Sequence, residues 1–351
     1  AAFLMDKLLS RCGLSGQSFI PMLSSFACAI PGIMATRTIG NRRDRITTVL
    51  VAPLMSCSAR LPVYTLMIAA FIPANAKVVG VLGAQGLTLF LMYAIGIAVA
   101  VPVAWLLKRT LLKGETPPFL LELPTYKWPQ LRTVLGKVYV QGKEFVVRAG
   151  TIIFAVIVIV WALAYFPHSD AIAKKYEERR AQIESSSVTP DAKAQALAAA
   201  DAEESGAQLR NSYFGRIGLA VEPLVRPLGW DWRIGMAAIA SFPAREVVIG
   251  TLGTIFFLGG DVDETSDTLK SVLRGATLPD GAKLFNVPVA LSIMVFFALC
   301  CQCGATLAII RRETRSLAWP AFTFAYMTAL AYLGAFAVYQ VTMWLGWGTA
   351  A

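Results

Sequence analysis

The stretch "SSFACAIPGIMATRT", Ser24 to Thr38, is apolar enough to enter a membrane. Yet it carries Cys28 at its centre, Pro31 three residues later and Arg37 near its end. Proline removes a backbone donor and breaks helix continuity, and a charge at membrane depth costs roughly 3 kcal/mol or more. The segment therefore reads as an interrupted one, and the way it is interrupted decides the fold.

The rest of the chain supplies the membrane setting. Of its 351 residues 56% are hydrophobic, and the mean hydropathy is +0.59. Several stretches exceed the ~18–20 apolar residues that span a bilayer. The expected fold is an all-α polytopic membrane protein with strong spans at 46–72, 81–107, 145–166, 287–310 and 317–345. Two weaker segments, 19–36 and 232–258, are interrupted. The net charge of +10 orients membrane helices through loop cations and is a poor argument for nucleic acid. Cys12, Cys28, Cys57, Cys300, Cys301 and Cys303 are the cysteines, and five of them lie in apolar stretches. This argues against an extracellular disulfide framework. His168 is the single histidine, so a metal site must be built from sulfur and oxygen, and most catalytic triads are excluded. No G-x-x-x-x-G-K-[ST] occurs, so the chain has no P-loop of its own. No catalytic residues are assigned, and the chain is expected not to be an enzyme.

Loop charge sets the topology. "RTIGNRRDR", Arg37 to Arg45, holds four arginines and is expected on the cytosolic side. Span 46–72 then runs outward, 81–107 inward and 145–166 outward. That places 169–211, rich in Ala, Glu, Lys and Gln, outside as a solvated helical hairpin, its second helix starting with Thr189 as N-cap and Pro190 at the first position. The cation-rich loop 108–143, broken at Pro117-Pro118, reads as cytosolic with a short interfacial helix. A full crossing by 232–258 would put "RRETR", Arg311 to Arg315, outside. A re-entrant hairpin there keeps it cytosolic, and by symmetry 19–36 is a hairpin entering from the cytosolic side.

The two halves also resemble each other. "MSCSARLP", Met55 to Pro62, aligns with "CQCGATLA", Cys301 to Ala308, pairing Cys57 with Cys303 and Leu61 with Leu307. Each half has an interrupted segment followed by a long span with a central break. Inverted repeats with discontinuous helices are how many transporters build a midplane site. The expected organisation is a first gate unit (1–107), a cytosolic interfacial segment and central span (108–166), an extracytoplasmic insertion with an amphipathic lead-in (167–230), and a second gate unit (231–351).

Three cysteines fall at the expected breaks: Cys28 at the hairpin tip, Cys57 shortly before Arg60 and Pro62, and Cys303 before Gly304. Cys300 and Cys303 are expected on one helical face, with Cys301 pointing elsewhere. Two readings stay open. Buried free cysteine often merely packs; thiolates also suit borderline divalent metals, Fe(II) among them. Arg245 and Glu246 in "SFPAREVVIG" are read either as an ion pair closing the second hairpin or with Glu246 as a cation-attracting carboxylate or proton carrier. Arg60 is assigned to a gate or a hairpin tether, because a guanidinium repels a cation. A carrier of a small organic solute such as a nucleoside, and a membrane scaffold or redox protein cycling Cys300 and Cys303, are the further readings left open.

"SFACAIPGIMATRTIGNRRDR", "MSCSARLPVY", "PPFLLELPTY", "FVVRAGTIIF", "GWDWRIGMAAIASFPAREVVIGTLGTI" and "CGATLAIIRRET" follow one another in an order that resembles the membrane domain of the bacterial ferrous-iron transport protein B (FeoB) family. The resemblance covers nearly the whole chain except the insertion near 169–211. It implies two gate units and Fe(II) transport across the bacterial inner membrane into the cytosol, with no bound organic cofactor. Carried over by motif, the family's functional cysteines fall on Cys28, Cys57 and Cys303 as metal-contacting residues. Ser24, Cys300, Cys301 and Glu246 are further pathway candidates, and Pro31, Arg60, Pro62, Arg245 and Gly304 are gating or structural. Ala27 and Ala29 depart from the family pattern of glycine and a polar residue beside the first cysteine, and Ser24 or Ser25 is the expected substitute. The family's GTPase domain and first membrane helices are expected on another part of the gene product or a separate chain, so GTP acts only through them. The lipid bilayer, a small cytosolic accessory protein and a homo-oligomer complete the implied partners, with no nucleic acid.

Overall fold

The structure is a computed structural model that describes residues 6, 9, 13–73, 77–79, 82–113, 128, 130–185, 190–242, 245, 247–256, 267–278, 281–301 and 303–347. Among the described residues its regular elements are helices, one two-stranded antiparallel ribbon, β1 (Lys77–Val79) with β2 (Leu82–Gly83), and an isolated bridge between Thr277 and Lys283. Among the described residues, four segments are long and apolar enough to cross a membrane: Arg42–Phe71, Ala84–Arg109, Val287–Thr314 and Ala318–Trp344. The chain is a membrane protein. It forms two compact units, each assembled from three separate stretches.

The first unit takes Ala1–Leu61, Gly86–Ala155 and Val295–Gly334. The opening stretch is two short helices, α1 (Phe19–Ser25) and α2 (Ala29–Ala35), packed against each other across the turn at 26–28. Gly32 makes that approach possible. A Cβ there would stand 2.0 Å from Ser25 Oγ and 2.7 Å from the Pro21 carbonyl. Pro31 lies in the first turn of α2, where a missing N–H is harmless, so it starts the helix as much as it ends the preceding turn. After α2, α3 (Arg42–Val51) begins on an Asn41 cap whose side chain accepts from the Arg43 N–H at 2.9 Å. Its inner face carries Leu50 and Val51, with Leu54 in the 3-10 turn that follows. These pack with Ala100, Ala104 and Leu107 of α5 (Ala84–Arg109) and Met327 of α15 (Ala318–Trp344). The span that starts as α3 unwinds at Met55–Cys57 and resumes as α4 (Leu61–Phe71), with Pro62 at its second position.

The lone acids of the two basic loops anchor this unit. Asp44, fully buried, pairs with Lys108. Glu313, near the end of α14 (Gly304–Thr314), accepts from Arg37 Nε at 3.0 and 3.1 Å, and its backbone carbonyl accepts from Arg45 at 2.8 Å. Both loops therefore meet at one buried carboxylate.

The second unit takes Pro62–Gln85, Val156–Met294 and Ala335–Ala351. Its insertion is the expected helical hairpin. Arg179 and Arg180 on α7 (Asp170–Ser185) pair with Glu203, Asp201 and Glu204 on α8 (Pro190–Asn211). Thr189 lies outside the described residues. The amphipathic α9 (Tyr213–Val225) follows, capped by the Ser212 hydroxyl. The second interrupted segment is again two short packed helices, α10 (Trp232–Ala240) and α11 (Val247–Ile255). Beyond α12 (Asp267–Gly275), Phe285 stacks on Phe71 at 5.9 Å and meets Phe256 at 5.8 Å.

Two sequence expectations are corrected. Within the described part of 108–143, the residues from Leu131 on form no short interfacial helix of their own but open α6 (Leu131–Tyr165), which runs unbroken through the expected span; 114–127 lie outside the described residues. No proline falls between Pro129 and Pro167, and Gly136, Gly142 and Gly150 each weaken a helix by only about 1 kcal/mol. Nor do Cys300 and Cys303 share a helical face. The helix α13 (Val287–Leu299) ends before them, and Cys300, Cys301 and Cys303 all stand in non-helical backbone.

Candidate metal path at the helix breaks

Three cysteines occupy one structural position repeated three times within the first unit. Cys28 (φ −155°, ψ 136°) is extended and immediately precedes α2. Cys57 (φ −81°, ψ 164°) precedes the 3-10 turn Ser58–Arg60 that leads into α4. Cys303 (φ −156°, ψ 99°) precedes α14, whose first residue is Gly304. Each residue immediately precedes a helical element, a three-residue 3-10 turn in the case of Cys57, and none of the three side chains bonds a backbone N–H of that element as a cap. All three are half-buried, whereas Cys300 and Cys301 are fully buried. Cys12 lies outside the described residues.

The three positions are drawn together by specific contacts. Cys28 and Cys303 flank the same small cluster, in which Ile30 and Ala305 pack with Met34 and Ile309. Ser58, next to Cys57, donates from its hydroxyl at 3.0 Å to the carbonyl of Ala27, the neighbour of Cys28, and its N–H reaches the same oxygen at 3.4 Å. The first break thus touches the first hairpin tip, and that hairpin's second helix touches the start of α14. Among the described residues, no three His, Cys, Asp or Glu side chains stand close enough to hold one metal ion together. The cysteines share a region without forming a closed cage.

The freed backbone is satisfied differently at each place. Gly96 of α5 lies against the first break: a Cβ there would stand 2.8 Å from the Leu54 carbonyl and 3.3 Å from Ser56 Oγ. Arg60, fully buried, donates to the carbonyls of Pro53, Leu54 and Met55. The sequence reading made Arg60 a gate or a tether to a hairpin. The carbonyls it bonds at Pro53, Leu54 and Met55 belong to its own broken helix. At the second break Cys300 Sγ lies 3.8 Å from the Phe297 carbonyl, and Cys301 packs into the main core of the unit.

The remaining candidates separate clearly. Ser25 gives its hydroxyl to the Pro21 carbonyl at 2.8 Å. Ser24 holds the hairpin turn through its carbonyl, which accepts from Ala27 and Cys28 N–H at 3.1 and 3.2 Å. Arg245 lies buried between α10 and α11 in the second unit. Glu246 lies outside the described residues. Sequence reasoning missed Ser58 as the link between hairpin tip and break, and Asp44 and Glu313 as anchors. The anchors had a signal: each is the single acid in an otherwise basic loop.

The chain matches two family profiles. "Nucleoside recognition", a gate profile, covers residues 1–71 and 146–317, and "Ferrous iron transport protein B C terminus" covers 89–140. It is similar to the Fe(2+) transporter FeoB of Leptospira interrogans, 40% identical over 97% of this chain and 45% of that protein. It is also similar to the FeoB of Helicobacter pylori, 35% identical over 94% of this chain and 49% of the relative. A Porphyromonas gingivalis protein named as a fusion of Fe(2+) transport protein A with Fe(2+) transporter FeoB is 36% identical over 97% of this chain and 40% of its own length. The chain thus spans about half the length of the curated relatives it matches. No solved structure matches it.

Proposed function

The chain belongs to the ferrous iron transport protein B family, and on that premise we propose that it forms the conducting core through which Fe(II) crosses a bacterial inner membrane into the cytosol. The observation that carries the proposal is the threefold recurrence of a half-buried cysteine in extended backbone at the start of a helix. Sulfur accepts Fe(II), and a ligating thiol gives up its proton. Because the three thiols form no closed cage, Cys28, Cys57 and Cys303 act as successive stations for the ion. That fits conduction, which needs binding weak enough to release. Cys300 and Cys301, buried in the core, pack beside the path.

The two interrupted segments act as hairpins of two inverted repeats, α1–α2 from the cytosolic side and α10–α11 from the outer side. Glu246, which precedes α11 in the sequence, is a candidate to attract the incoming cation. A GTPase domain on the rest of the gene product or on a separate chain supplies nucleotide control. The fusion in the Porphyromonas relative points to a small accessory protein as a further partner. A gate profile described by nucleoside recognition does not move the substrate to an organic solute, because one architecture hosts many functions.

The test is Fe(II) uptake in an uptake-deficient cell by the wild type and by Cys28→Ser, Cys57→Ser and Cys303→Ser. Uptake by the wild type with loss in each variant is expected; unchanged uptake in all three removes the thiol path. Competition by Zn(II) and Mn(II) in the same assay defines selectivity.

A further inference from the structure

Arg60 lies fully inside the protein, and its guanidinium faces the break in its own span. Nη1 donates to the Met55 carbonyl at 2.9 Å, the Leu54 carbonyl at 3.2 Å and Ser56 Oγ at 3.3 Å; Nη2 donates to the Pro53 carbonyl at 2.9 Å. The last carbonyls of a helix have no intrahelical partner, and they form the negative end of its dipole. Three consecutive ones converge here on a single group. In transporters with discontinuous helices, unwound carbonyls and half-helix C-termini are where a coupling cation is held. In this break the acceptors are already taken by a cation covalently attached to the chain. A guanidinium stays charged at any physiological pH and spreads its donors in a fixed fork suited to several oxygens at once.

The second break makes the contrast. In the register that pairs Cys57 with Cys303, Thr306 stands where Arg60 does. It is a buried neutral residue whose N–H bonds the Cys303 carbonyl at 3.0 Å.

We infer that Arg60 is a resident cation that occupies, within the first break, the place a mobile alkali ion would take, so that this break closes and the transport cycle runs without Na⁺ or K⁺ bound there. The transport part of this inference rests on the reading of the chain as an Fe(II) transporter; the stability part does not.

The experiment therefore has two arms. In the first, thermal melting of wild type, Arg60→Ala and Arg60→Lys is compared in N-methylglucamine, sodium and potassium chloride at equal ionic strength, and with low millimolar guanidinium. The wild type should melt at the same temperature in all. Arg60→Ala should melt lower in N-methylglucamine and recover at least half the loss with an alkali ion or guanidinium. Arg60→Lys, which keeps the charge, should melt independently of the salt cation. If Arg60→Ala does not fold, salt-independent melting of Arg60→Lys supports the inference. Failure of both to fold, or a loss in Arg60→Ala that no small cation restores, overturns it. In the second arm, wild-type Fe(II) uptake is measured with sodium and potassium replaced by N-methylglucamine. Uptake within twofold supports the inference, and a tenfold fall overturns it. Absence of uptake in every salt instead counts against the transport reading and leaves the melting arm to decide.

Discussion

The two helix breaks of the first unit have the same outline and different interiors. In each, a cysteine in extended backbone ends the irregular stretch, and a new helix follows, directly after Cys303 and through the 3-10 turn Ser58–Arg60 after Cys57. At the first, Arg60 gathers the loose carbonyls, and α5 closes in over Gly96. At the second, no arginine stands in that register, and Cys300 and Cys301 are buried. A repeated sequence skeleton therefore fixes where the backbone opens. The residues laid over it decide what fills the opening. The sharpest way to break this comparison is to exchange the cysteines' roles. Cys57→Ser and Cys303→Ser should each lower Fe(II) uptake roughly tenfold or more, since even the outer partners of metal ligands matter at that scale. Cys300→Ser should leave uptake within about twofold. Equal loss from Cys300→Ser and Cys303→Ser would mean that the buried sulfur touches the ion too.

Much of this was legible in the sequence because breaks in membrane helices are chemically costly and so leave marks. Pro31, Pro62 and Gly304 each lie within the first turn of a resumed helix, and the charges of "RTIGNRRDR" and "RRETR" fall largely at the start of α3 and the end of α14. What was not legible depended on distant pairing. Nothing local to Arg60 says that it bonds three carbonyls of its own span, and nothing local to Ser58 says that it reaches Ala27. The mistaken helical face for Cys300 and Cys303 arose because periodicity cannot tell where a helix stops inside an apolar run.

The two anchoring carboxylates sharpen the comparison at the next scale of effect. Asp44 and its partner Lys108 are both buried, with 1% and 8% of their side chains exposed. Asp44→Asn strands an ammonium and should cost about 3–5 kcal/mol. Glu313 is just as buried, but Arg37 and Arg45 remain 49% and 33% exposed. Solvent can rehydrate them, so Glu313→Gln should cost only about 1 kcal/mol. Chemical or thermal unfolding in detergent measures both, and equal losses would contradict the assigned burial. The hairpins give a third contrast. Gly32→Ala forces a contact with backbone at the first and should destabilise by about 1–3 kcal/mol. At Gly250 of α11 a Cβ meets nothing within 4 Å, so Gly250→Ala should be neutral or stabilise by up to ~1 kcal/mol. A loss at both positions would show that the second hairpin is packed as tightly as the first.

The smallest effect concerns pH at the mouth of that second hairpin. Asp231 caps α10, accepting from the Arg233 and Ile234 N–H groups at 3.0 and 3.1 Å. Burial pushes its carboxyl above the ordinary aspartate range, and those two donors with the Arg233 guanidinium only partly oppose the push. A carboxyl whose folded value is raised favours the folded state most where it is protonated. Its contribution is therefore complete below the unfolded value of about 4 and is lost as pH rises through the raised one. Asp231→Asn keeps a side-chain oxygen for the cap and removes the titration. The variant's unfolding midpoint should fall less than the wild type's as pH is raised from about 4 towards neutrality, with the two curves parallel beyond. Because the first hairpin has no acid at the start of α1, no such slope is expected from it. A slope that persists in Asp231→Asn would place the titrating group elsewhere and remove this last difference between the two hairpins.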